Sequence, residues 1–167
     1  MEPPQRRNRM SSQADQAQTI GILAAHEAAM GDLYRLYAAK LPDSASLFES
    51  LATDERDHAR ALADFADGVK KGLVHIDPQR FTAEAVLNSL DYIKERLAEA
   101  NSSSVTLVQA LSVAHDLEEG LIEKRYYEVA EADCAEMKNL LQRLAQETAA
   151  HLAQVNSAWE AARQRTP

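Results

Sequence analysis

Along four long stretches of the chain, apolar residues recur at alternating steps of three and four, the period of one face of an α-helix. The first stretch, predicted helical from about Asp15 to Lys40, carries Ile20, Leu23, Met30, Tyr34 and Tyr37 on that face. "LPDSAS" breaks it, because Pro42 cannot continue a helix and Asp43 or Ser44 can cap the next one. The second helix is predicted from about Ser44 to Val69, with Phe48, Leu51, Leu62 and Phe65 inward. A loop, "KKGLVHIDPQR", follows, and Thr82 is placed to cap a shorter segment, "AEAVLNSLDYIKERLAEA". "NSSS" ends that segment and is read as the cap of a helix from about Val105 to Ala132; Asp133 restarts the chain into a last helix ending near Ala162. Two connections are short and make antiparallel neighbours. The middle one, Lys70 to Ser104, is long enough to cross the molecule. The pattern predicts an all-α four-helix bundle with one long crossover containing an additional helix.

Each inner face is interrupted about halfway along. Glu27 breaks the first stripe, and Glu55 with His58 breaks the second. In the third, Leu111, His115, Glu118, Ile122, Tyr126 and Val129 fall in line, so His115 and Glu118 are the exceptions, with Glu119 one step off. In the fourth, Met137, Leu141, Leu144, Thr148, His151 and Val155 fall in line, with Glu147 one step off. A buried carboxylate without compensation is costly. Several carboxylates and histidines at matching depth call for a shared partner, and a pair of divalent metal ions supplies the missing positive charge. Residues three or four apart lie one turn apart on one side of a helix, so both can reach the same ion. The block also repeats internally: "LATDERDHA" matches "LAQETAAHLA", aligning His58 with His151, while Glu27 precedes Tyr34 by the same interval as Glu119 precedes Tyr126. The stripe selects Glu118 as the inward residue and the repeat selects Glu119. His26 is read as facing away from the stripe and His75 as a crossover-loop residue, both at the surface.

Composition narrows the function. Ala and Leu dominate an apolar fraction of 46%, with five Gly and five Pro, which suits helices and one domain over residues 13–163. Residues 1–12 read as a disordered arm carrying the basic cluster "QRRNR". A net charge of −8 argues against sequence-independent nucleic-acid binding. No apolar run has the length of a membrane span, and no apolar segment of a secretory signal follows the basic cluster. Cys134 is the only cysteine, so a disulfide framework or paired-cysteine metal knuckle is not expected. The expectation is a cytoplasmic protein. An oxygen and nitrogen donor set without thiolate suits iron or manganese, and zinc can occupy it adventitiously.

"EAAMGDLY", "DERDHA", "DLEEGLIEKRYY" and "ETAAH" together resemble the rubrerythrin-like branch of the ferritin-like di-iron carboxylate superfamily, over roughly residues 15 to 160. That family places one Glu from each of two helices and Glu-x-x-His from each of the other two around the metals. The resemblance implies two iron ions held by Glu27, Glu55, His58, Glu118 or Glu119, and His151. Tyr34 and Tyr126 would hydrogen-bond the ligand carboxylates. It implies redox chemistry on peroxide or dioxygen, or ferrous-iron oxidation. The chain departs at Thr148, where the pattern has a carboxylate; Glu147 can share a face with His151 but at a different angle. A site degenerate at Thr148 would instead serve metal binding, iron handling or a structural role. Rubrerythrins proper carry a cysteine-paired rubredoxin module, so an external electron donor is expected. Dimers are common for that fold, and the outward Ala and Leu positions are compatible with a homodimer.

Overall fold

The computed structural model describes residues 4–72, 83–124 and 135–164, with side chains described except at 4–13, 121–124, 136 and 137. Five helices account for these segments: α1 (Pro4–Lys40), α2 (Ala45–Lys70), α3 (Ala83–Ser102), α4 (Leu107–Lys124) and α5 (Ala135–Gln164). A 3-10 turn, Pro42–Ser44, separates α1 from α2. Helix α1 packs against α2 and α3, α4 packs against α5, and α2 meets α5. The result is the expected ferritin-like bundle, two helical pairs with α3 in the crossover laid on α1.

The start of α1 differs from the sequence reading. The backbone is helical from Pro4, not from near Asp15. Proline is well placed in a first turn, where its missing N–H has no helical partner, and "QRRNR" contains no helix breaker before the apolar stripe begins.

The breaks follow local chemistry. Leu41 is pushed out of the helical region by Pro42, with φ −125° and ψ 70°. Ser44 stands at the N-cap of α2 but makes no side-chain capping bond. At the far end of α2, Gly72 takes φ 73°, a left-handed conformation that glycine adopts without a Cβ clash, and its N–H bonds Val69 O at 2.9 Å. Helix α4 is capped by Thr106 rather than by "NSSS". Gln109 N donates to Thr106 Oγ1 (3.3 Å) and Thr106 N donates to Gln109 Oε1 (3.0 Å), a reciprocal capping box legible as T-x-x-Q.

The predicted stripes of α1 and α2 are buried throughout, including Tyr34, Tyr37, Phe48 and Phe65. Phe48 fills the space between the two tyrosines, its centroid 6.2 Å from Tyr34 and 5.4 Å from Tyr37. Gly31 lets α1 and α2 approach closely at the level of the polar residues: a Cβ there would lie 3.2 Å from Ala52 O and 3.6 Å from Glu55 Cβ. The stripe of α4 is rotated from the predicted one. Ala110, Leu111, Ala114, Leu117 and Glu118 are buried, and His115 sits at the edge of the interior. Tyr126, Tyr127, Val129, His75 and Thr82 lie outside the described residues, as do the side chains of Ile122 and Met137. Among the described residues no helix is long and apolar enough to cross a membrane.

Candidate metal centre

The i, i+3 spacing on α2 puts Glu55 and His58 on one face, and packing turns that face toward α1, α4 and α5. Glu27 from α1, Glu118 from α4 and His151 from α5 meet them there. All five residues are at most 2% exposed. Glu55 is the centre of the group. Its Oε2 is hydrogen-bonded with His58 Nδ1 at 3.1 Å, and its Oε1 with His151 Nδ1 at 3.0 Å. Glu27 Oε2 lies 3.7 Å from His58 Nδ1, and Glu118 Oε2 lies 3.8 Å from His151 Nδ1. The two imidazoles stack with centroids 5.6 Å apart and planes 22° apart. Two ligand triads result, Glu27–Glu55–His58 and Glu55–Glu118–His151, with donor atoms within 4.8 Å of one another in each. Metal–oxygen and metal–nitrogen bonds of about 2.0–2.2 Å fit inside such triads.

The surroundings hold each ligand in place. Tyr34 Oη donates to Glu118 Oε1 at 2.9 Å, leaving Oε2 to face His151. His58 Nε2 donates to Glu147 Oε2 at 2.8 Å, and His151 Nε2 donates to Asp54 Oδ2 at 3.2 Å. Each histidine thus presents Nδ1 inward while a carboxylate of the opposite helix fixes its outer nitrogen, the arrangement that orients metal-binding imidazoles. Glu147 lies outside both triads and hydrogen-bonds His58. Asp54 plays the same part for His151. Asp54 breaks no apolar stripe, although the internal repeat aligns it with Glu147.

Helix rotation separates the two adjacent glutamates of α4. Glu118 is buried in the second triad, while Glu119 is half exposed with its carboxylate 3.8 Å from His115. His115 packs on Trp159, centroids 4.9 Å apart, away from both triads. His26 corrects the surface assignment: it is fully buried, its Nε2 hydrogen-bonded to Ser89 Oγ on α3 at 2.9 Å and its Nδ1 3.5 Å from Glu27 Oε1. The crossover helix covers it, which the α1 stripe alone does not reveal. Thr148 is buried one turn before His151.

Charge makes the cluster costly without cations. Burial raises the pKa of Glu55 well above the usual carboxylate range, reinforced by the charge of Glu27, and burial with the charge of Glu55 does the same to Glu118. For Glu27, burial is outweighed by hydrogen bonds to Glu55, His26 and His58, which hold it well below that range. For His58, burial is outweighed by Glu27 and Glu55, which push it up to about 11. Burial, with the charge of Glu118 next in size, keeps the Tyr34 hydroxyl protonated far into the alkaline range. Among the described residues none donates a hydrogen bond to Glu118 Oε2, which is buried. A pair of divalent ions would satisfy this oxygen and neutralise the carboxylates, so the donors fit the group. Loading must displace protons from Glu55, Glu118 and His58. Metal affinity is therefore expected to rise with pH, and titration calorimetry in buffers of different ionisation enthalpy should show net proton release. Binding heats independent of the buffer would contradict this charge assignment.

An all-helical bundle in which two helix pairs surround a shared glutamate with histidines and further carboxylates is a ferritin-like protein with a candidate di-metal centre. The family model described as Rubrerythrin matches residues 24–159, and the chain belongs to the rubrerythrin family. No curated protein and no solved structure matches it.

Proposed function

We propose that this protein is a di-iron carboxylate oxidoreductase of rubrerythrin type, acting on peroxide or dioxygen or oxidising ferrous iron. The observation that carries the reading is the placement of Glu55, with one oxygen directed at each histidine, as a bridging ligand requires. Glu27 with His58 would complete one ion's protein ligands, and Glu118 with His151 the other's. A bound ferrous pair would supply two-electron reduction of the oxidant, with an external donor returning the electrons. The chain's own residues orient the ligands and exclude bulk water. Tyr34 holds Glu118 in one rotamer, and the stacked imidazoles fix the separation of the two triads. Manganese suits the same donors.

The burial of Thr148 supports a second reading, in which the incomplete carboxylate set serves metal binding or iron handling without turnover. The two readings part on one experiment. Untagged protein reconstituted anaerobically with ferrous iron is expected to hold two irons per chain. Peroxide mixed with it in a stopped-flow instrument should then be consumed. Two irons without peroxide consumption would leave the second reading, and failure to load iron would remove the first.

A further inference from the structure

A polar cavity of about 330 Å3 lies where α1, α3 and the first half of α4 converge. Helix α1 supplies Tyr37 to its wall, α3 supplies Tyr92, Arg96 and Glu99, and α4 supplies Ser112 and Asp116. No member of either metal triad lines it. At roughly 30 Å3 per small atom group in a liquid, the space holds about ten non-hydrogen atoms. Its volume falls at the lower end of the range for small-molecule sites.

Tyr37 marks this cavity as more than a surface dent. Its side chain is 2% exposed and its ring packs on Phe48, so the hydroxyl is the polar group it brings to the wall. Among the described residues that hydroxyl has no hydrogen-bond partner, and a buried hydroxyl left unpaired is costly. Burial and the neighbouring Tyr92 keep it protonated, pushing its pKa up to about 12. The charges of the wall divide into a pair and a remainder. Arg96 Nη1 lies 3.0 Å from Glu99 Oε2, and the guanidinium covers the Tyr92 ring at 5.1 Å, so this cation is already engaged. Asp116 has no Lys or Arg against it among the described residues; its Oδ1 lies 3.4 Å from His115 Nδ1. One cation and two carboxylates leave the wall with one net negative charge.

We infer that this cavity binds a small organic cation, a primary ammonium group on a short alkyl chain. An ammonium group offers three N–H donors and accepts nothing. Asp116 supplies the opposite charge, and the hydroxyl oxygens of Tyr37 and Ser112 supply neutral acceptors. The alkyl chain lies against Val105 and Val113, the apolar part of the wall. A carboxylate of the same size would meet more negative than positive charge, and an alcohol would leave Asp116 without a counter-ion. The site stands apart from the di-metal reading, since it uses none of the residues of the candidate metal centre.

Butylamine, butyrate and 1-butanol share one shape and differ in charge at neutral pH, so together they isolate the contribution of the ammonium group. The full chain, metal-free, is titrated with each, with ligand-observed NMR reading affinity and tyrosine ultraviolet difference spectra reading the site. Butylamine is expected to bind with a millimolar Kd, about tenfold more tightly than the other two, and to perturb tyrosine absorption. Asp116→Asn should weaken butylamine by about tenfold, to the level of 1-butanol. Tyr37→Phe keeps the ring against Phe48 and should lower the affinity for butylamine and remove most of the difference spectrum. If Tyr37→Phe does not fold, Asp116→Asn, which alters a half-exposed side chain, still decides the matter. Butyrate or 1-butanol binding as tightly as butylamine would overturn the inference. So would an Asp116→Asn variant that binds butylamine as the parent does, or a parent that binds none of the three at tens of millimolar.

Discussion

Glu55→Ala is expected to abolish loading of both metal ions while leaving the helical content of the protein unchanged. Glu55 is the one residue present in both triads, so its loss reduces each ion to one carboxylate and one histidine. Two protein ligands fall short of the three or more that hold a divalent ion in catalytic sites. The fold should survive, because the core of α1 and α2 packs above and below the cluster through Met30, Leu33, Phe48, Leu51, Leu62 and Phe65. The metal-free variant should unfold at a denaturant concentration equal to or above that of the metal-free parent. Burial disfavours the Glu55 carboxylate, and removing a buried ionisable group is often neutral or stabilising. Metal analysis, far-ultraviolet circular dichroism and urea unfolding read the three parts. Two bound ions per chain in Glu55→Ala would refute its bridging role.

Glu147→Ala is expected to weaken one ion, and Asp54→Ala the other, each by about 10–100-fold. The effect should cross between helices. Glu147 lies on α5 but orients His58 of α2, so its removal should weaken the ion shared with Glu27. Asp54 lies on α2 but orients His151 of α5, so its removal should weaken the ion shared with Glu118. Without an outer acceptor, each imidazole can rotate or bind water, and its Nδ1 is no longer held toward the ion. Both carboxylates are close to half exposed, so their contribution is orientation rather than a strong ion pair. Stepwise Co2+ titration resolves the two affinities. Glu147→Gln, which keeps a hydrogen-bond acceptor, should recover part of the loss. Equal weakening of both ions by either single variant would contradict the crossed assignment.

The inner stripes of α1, α2 and α5 were legible because each combines a strict helical period with a conspicuous polar exception. Glu27, Glu55, His58, Thr148 and His151 are all buried where that period put them. Helix α4 was harder. Adjacent glutamates differ by about 100° around the axis, so a small error in the helix's rotation exchanges them. Its stripe also included His115, which the structure places beside Trp159. The cap of α4 was readable in T-x-x-Q but was overshadowed by the serine run before it. The burial of His26 was not legible, because a stripe describes one partner, while α1 is covered on another side by α3 and Ser89.

The sequence by itself determined which residues share a face of one helix, how deep along that helix they lie, and that their charge requires a cation or protons. Those properties depend on the local helical period and on the chemistry of each side chain. Only the tertiary structure decided how each helix is rotated about its axis and which face meets which neighbour. That rotation buries Glu118 and leaves Glu119 half exposed, buries His26 and sends Glu147 and Asp54 across to the opposite histidines. These contacts join residues far apart in the chain, and the packing of whole helices sets them.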